Sequence, residues 1–276
     1  MNEDPSSPDE LENEAPATPD ETRAALLERS GRGFAPIHKS FVQNPDRTQT
    51  NRQAPLAVFV RNGDLRGLRA FLFLHAIISN GDQGWSTTLP LSVWARAFGT
   101  TQDAEPTSAT TAASKVIRRL VDRSLVTRSH GKGRDVTLTL LRPDGSGAAY
   151  ERPLGKGIDR YLKLDHAYWS QGWYQQLDLP ATAMLLVALH EKPTFTLPTE
   201  HMKSWYGFSP DTAERGFATL MGCGLLTCRQ KLRKAPLSPT GVVPVNVYTL
   251  QPPFGPPAPS PGALADLFGS DEKSSR

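Results

Sequence analysis

The sequence predicts an α+β chain in which one unit of helix, strand, helix, helix and two closing strands is written twice between two tails. Three observations carry this reading. Thr88-Leu89-Pro90 precedes Phe98-Gly99 by the same ten positions that separate Thr196-Leu197-Pro198 from Tyr206-Gly207. Leu120 precedes Leu125-Val126-Thr127 at the distance at which Leu220 precedes Leu225-Leu226-Thr227. The two offsets are 108 and 100, so the first copy holds eight extra residues, which fit the loop "TTQDAEPTSAT" at 100–110. The third observation is charge. Residues 1–30 carry nine acids against Arg23 and Arg29, a net of −7, and 252–276 carry a net of −1, so the overall +3 leaves +11 on residues 31–251.

Taken in order, residues 1–35 form an acidic head with Pro and Ser, too polar to bury a core, and are expected to be disordered. The first folded domain spans 36–150, with "PLAVFVRNG" (55–63) packed on it. Asp64-Leu65 opens a nearly all-apolar helix over about 66–79, and a helix apolar on every side belongs inside a core. "STTLP" reads as a strand, 91–98 as a helix stopped by Gly99, and 108–124 as a third helix after Ser, Thr and Pro residues suited to an N-cap and first turn. "LVTRSH" and "DVTLTL" are β-branched and alternating, and two glycines in "SHGKGRD" suit a tight turn between them.

The second domain, 151–251, repeats the plan. The Trp- and Tyr-rich segment 161–177 is expected to pack on it, and Asp178-Leu179 opens an apolar helix over about 180–191. "FTLP", a helix at 199–206 stopped by Gly207, a helix at 210–222 and the strands "LLTCRQKL" and "VNVYTL" complete it. Residues 252–276 form a Pro-rich tail, also expected to be disordered.

This order of elements resembles the winged-helix form of helix-turn-helix over roughly 64–143 and 178–251. The fold class is therefore α+β, two tandem winged-helix domains with disordered N- and C-terminal tails. Two such modules in one chain are also similar to the architecture of plasmid replication initiators. The resemblance implies that a third helix enters the major groove of double-stranded DNA and that a wing touches the backbone.

In the first module Ala113, Ile117 and Leu120 fall on one face, flanked by Val116 and Val121. That leaves Thr111, Ser114, Lys115, Arg118, Arg119 and Asp122 outward, and Arg123, Arg128, Lys132 and Arg134 extend the basic set into the wing. In the second module Ala213, Phe217 and Leu220 take the core positions, and Asp211, Thr212, Glu214, Arg215 and Thr219 point outward. Arg229, Lys231 and Arg233 alternate along one strand and share a face, with Lys234 beside them. This ribbon could lie along phosphates or guard a strand edge, since lysines discourage edge pairing. The second module, less basic on its third helix, is the better candidate for a homodimer contact.

Catalysis is not expected. There is no G-x-x-x-x-G-K-[ST], no H-E-x-x-H and no G-x-S-x-G. The six histidines are scattered, and His75 and His190, late in the two apolar helices, suit packing or capping. Cys223 and Cys228 alone cannot complete a zinc site, so free thiols and no metal or cofactor are expected. Neither a signal peptide nor an apolar run of membrane-spanning length is present, which predicts a cytoplasmic protein without membrane contact. In the tail, Leu264, Leu267 and Phe268 form an apolar edge suited to docking in a partner's groove. The "DLF" there resembles part of the peptides that bacterial replication proteins insert into the sliding clamp, without the usual leading Gln.

The leading expectation is a non-enzymatic double-stranded DNA-binding protein, acting as a transcriptional regulator, a plasmid or phage replication initiator, or a partition factor. The competing one is a protein–protein adaptor whose modules and tails recruit partners without DNA.

Overall fold

The computed structural model describes residues 15–256 apart from 82, 83, 102–104, 156 and 158. Its first element is a helix where composition predicts none: α1 (Pro19–Arg29). Thr18 and Glu21 form a reciprocal capping box, and Pro19 sits in the first turn. Leu26 and Leu27 are buried, and Arg23, its side chain only 7% exposed, is paired with Asp20 and donates to the Ala97 carbonyl at 3.0 Å. The expectation of a disordered head is thus overturned for residues 15–35. The net charge of the stretch hid a short capped helix whose acids cap and pair rather than repel. Residues 1–14 lie outside the described residues.

Strand β1 (Phe34–His38) follows, then α2 (Pro55–Arg61) and α3 (Leu65–Ile77). Asp64 caps α3 by accepting from the Gly67 N–H, and residues 70–77 of this helix are all buried. The first repeated unit continues with β2 (Asn80–Gly81), β3 (Gly84–Pro90), α4 (Leu91–Ala97), α5 (Pro106–Asp122), β4 (Val126–His130) and β5 (Asp135–Leu140). Its antiparallel sheet has the order β2-β3-β5-β4.

Next come β6 (Tyr161–Asp165), α6 (Ala167–Ser170) and α7 (Trp173–Gln176). The second unit is α8 (Leu179–His190), β7 (Thr194–Thr196), α9 (Met202–Tyr206), α10 (Pro210–Gly222), β8 (Leu226–Lys234) and β9 (Val242–Leu250), with sheet order β7-β9-β8. Asp178 caps α8 as Asp64 caps α3, accepting from the Ala181 N–H at 2.8 Å. Gly99 and Gly207 end α4 and α9 in the left-handed region, at φ +64° and +76°. The same element order therefore occurs twice in a mixed α+β chain.

Two segments expected to pack on one unit each reach both. Residues 161–177 touch the second unit as expected, through β6 on α8, but β6 also pairs with β1, Trp169 meets Phe73 edge-on at 5.8 Å, and Arg69 donates to the Leu177 carbonyl. Tyr168 lies 3.5 Å from Thr182 of the second unit. Conversely α2 touches α8 as well as α3, and Ala57 lies against Gly207. One hydrophobic cluster runs through both units as a result. The tail boundary also moves, since Phe254 is buried and the Gln251 N–H donates to the Leu225 carbonyl.

Candidate nucleic-acid interface

Helix α5 buries Ala109, Ala113, Val116, Ile117 and Leu120, spaced to make one apolar stripe. Val121, expected to flank that core, is 37% exposed, and its counterpart Met221 is 40% exposed. Each stands one helical step past the last core leucine, at the rim of the stripe. Opposite the stripe, Thr111, Lys115 and Arg118 are exposed and Ser114 is half-buried. The Arg118 side chain is 83% exposed, with Asp122 at 3.9 Å.

Two of the arginines assigned to this face are not available on it. Arg119 makes a bidentate contact with Asp64, both bonds 3.0 Å, and Arg123 donates to the same carboxylate at 2.6 Å. Arg123 is 13% exposed and lies over the Phe59 ring at 4.2 Å. Burial opposes the charge of Asp64, but bonds from Arg119, the Gly67 N–H and Arg123 outweigh it and hold the carboxyl below its ordinary range. Helical spacing alone pointed these side chains outward. The signal that could have turned them inward was Asp64 itself, an acid opening an apolar helix.

The hairpin β4–β5 returns alongside α5. Arg128 pairs across from Leu138, on the sheet face that also carries the buried Val126 and Leu140, so Arg128 lies on the helix side. Trp94 ties the hairpin to α4 by donating to the Val136 carbonyl at 3.0 Å. At the tip Gly133 takes φ +64°, and Lys132 and Arg134 beside it are exposed. Lys115, Arg128, Lys132 and Arg134 form no ion pair among the described residues. The structure thus gathers Thr111, Ser114, Lys115 and Arg118 on the helix and Arg128, Lys132 and Arg134 on the hairpin, and withdraws Arg119 and Arg123.

The second unit separates its candidates. Thr212 is engaged in capping α10, its N–H bonded to Ser209 Oγ at 3.1 Å, and Arg215 is 3.4 Å from Asp211. Tyr248, Leu226 and Leu250 define the helix side of the sheet, with Tyr248 stacked on Phe217 at 4.3 Å. Register places Cys228, Gln230, Leu232 and Lys234 on that side and Arg229, Lys231 and Arg233 on the other. The three alternating cations therefore share a face with one another but not with Arg215, so Thr212, Arg215, Arg229, Lys231, Arg233 and Lys234 do not form one contact surface.

His75 is buried between Phe71 and Tyr150, at ring distances of 4.6 and 5.4 Å, as a packing residue. Burial, with the nearby His38 and Arg32, lowers its pKa to about 3. His190 instead sits 3.1 Å from Glu191, and its carbonyl accepts from Lys39. Cys223 and Cys228 are free thiols. Among the described residues no group of three His, Cys, Asp or Glu side chains could hold a metal, and no helix is long and apolar enough to cross a membrane. Leu264, Leu267 and Phe268 lie outside the described residues. Comparison with protein-family models, curated proteins and solved structures returned no match.

Proposed function

We propose that the chain is a double-stranded DNA-binding protein without chemistry of its own, built from two winged-helix modules, of which the first makes the principal contact. The supporting observation is the exposed set on α5 and its hairpin: Lys115, Arg118, Arg128, Lys132 and Arg134 remain accessible after Arg119 and Arg123 are taken up by Asp64. A major groove about 12 Å wide admits one helix, and cations on the adjoining hairpin can reach phosphate or the neighbouring minor groove. In this reading Arg118 and Lys115 face base edges, and Lys132 and Arg134 fix the position on the backbone.

Salt titration of binding to a random duplex is the test. Each phosphate neutralised contributes about −0.9 to the slope of log K against log salt, so Lys132→Ala with Arg134→Ala should flatten the slope by about 2. An unchanged slope would remove the hairpin from the interface. No binding even at low salt would remove the DNA reading and favour an adaptor. Selection of bound sequences from a random pool then bears on the process. Inverted half-sites suit a symmetric dimer regulator, and direct repeats suit initiator-like arrays.

A further inference from the structure

The face of the second sheet turned away from α10 has no role in the DNA reading. Its floor is the row Val243, Val245 and Val247 of β9, and its rim is Arg229, Lys231 and Arg233 of the edge strand β8, all three exposed. Val245, Val247 and the three cations, with Lys192, Thr194, Thr196 and one acid, Glu191, line a groove of about 570 Å³ that Val243 continues along the strand. A valine floor under a cationic rim fits a short peptide that offers apolar side chains along one edge and carboxylates beside them.

We propose that this groove is the docking site of the chain's own segment 262–272, "GALADLFGSDE". Leu264, Leu267 and Phe268 match the valine floor, and Asp266, Asp271 and Glu272 match the rim, with no cation in the segment to oppose it. Reach is satisfied. The Gly255 N–H donates to the Gln251 carbonyl and the Gly255 backbone lies against the Leu250 carbonyl, so the chain leaves from the foot of the β8–β9 ribbon. Val247 and Val243 stand three and seven residues along β9 from Leu250, about 10 and 24 Å at a strand rise of about 3.4 Å. Leu264 is eight residues beyond Pro256, and eight extended residues span up to about 26 Å. The intervening "PAPSP" at 257–261 is too short to carry the segment far from this end of the molecule. The inference does not rest on DNA binding, whose proposed surface lies on the first unit.

The test is amide hydrogen exchange of the full chain, read over 262–270. A peptide with a dissociation constant of about 100 μM, tethered at an effective concentration of about 1 mM, is docked about ten to one, so exchange should be slowed about tenfold. The slowing should be independent of protein concentration. It should vanish in Leu267→Ala with Phe268→Ala, and in Arg229→Glu with Lys231→Glu, which are exposed and leave the core intact. Exchange at the free-peptide rate in the unaltered chain would overturn the proposal. Slowing that grows with concentration would assign the groove to a second copy and overturn it too. Protection of β8 by duplex DNA, with none in 262–270 of the free chain, would assign the face to nucleic acid instead.

Discussion

Two adjacent arginines of α5 should answer the same substitution in opposite ways. Arg118→Ala removes an 83% exposed side chain whose nearest anion is 3.9 Å away, an i,i+4 pair worth about 0.3–0.5 kcal/mol to the fold. Arg119→Ala removes two 3.0 Å bonds to a carboxylate only 8% exposed. Stripping one partner from a fully buried pair costs about 3–5 kcal/mol. Here Arg119 is 40% exposed and Arg123 still holds Asp64, so the loss should fall to about 2 kcal/mol, within the range for bonds to charged groups. In a chain of this size that lowers Tm by about 4–8 °C. On DNA the order reverses: Arg118→Ala should lose about 1–3 kcal/mol of affinity if it reaches a base edge, and Arg119→Ala much less. Calorimetric melting and fluorescence anisotropy on one duplex measure both axes. Should Arg119→Ala melt within a degree of the unaltered chain and bind DNA as poorly as Arg118→Ala, the clamp on Asp64 is not what holds α5.

Acid should destabilise the fold through His75. The unfolded chain protonates near the ordinary pKa of 6.5, while the folded state resists protonation down to about pH 3. The folded state therefore binds fewer protons across this window, and stability falls as pH drops through it, by up to about 1.4 kcal/mol per unit. His75→Phe, which keeps the ring contacts, should flatten the dependence of Tm on pH between 6.5 and 4. Deleting residues 1–14 removes six acids and should strengthen non-specific duplex binding at low salt with Tm unchanged, by lifting competition from a tethered anion. Deleting 1–30 also removes Arg23, Leu26 and Leu27 from the core and should lower Tm. Gly216→Ala should destabilise by about 1–3 kcal/mol despite the better helix propensity of Ala, because the added Cβ would come 2.5 Å from the Pro180 carbonyl oxygen. A rise in Tm would show that α8 and α10 can part without cost.

The elements of both units could be read from the sequence because their cues are local. The Asp N-caps, the closing glycines and the Pro at the start of α10 lie within a few residues of what they control. Pairings over long separations could not be read. β1 joins β6 across more than a hundred residues, and Arg23 reaches Ala97 and Tyr174 from a stretch whose average composition suggests no fold. The site divides along the same line. Lys132 and Arg134 are exposed because a tight turn exposes its tip, a local rule. Arg119 and Arg123 were misplaced because their partner lies 55 and 59 residues upstream. For β8 the alternation correctly grouped Arg229, Lys231 and Arg233, but which face they occupy depends on Tyr248 stacking on Phe217.

The two copies fasten the third helix to the first by different means, and this bears on what each can present. In the first, Asp64 is nearly buried and its charge must be met, so α5 commits Arg119 and Arg123 to it. In the second, Asp178 is exposed and solvated, and Thr219 and Cys223 stand where those arginines would be. The second copy has Gly216 in place of Val116, and α10 settles directly against Pro180 and Met184. Close approach needs no cation, and α10 accordingly shows Asp211 and Glu214 with a single arginine that is itself paired to Asp211. The first copy has exposed cations on its third helix and on the helix side of its hairpin, and under the proposed reading an anionic polymer would meet that unit first. Arg229, Lys231 and Arg233 of the second unit lie instead on the opposite face of its sheet, above a row of valines, where a duplex would gain phosphate contacts but leave the valines exposed. A short acidic peptide with leucine and phenylalanine side chains would satisfy both.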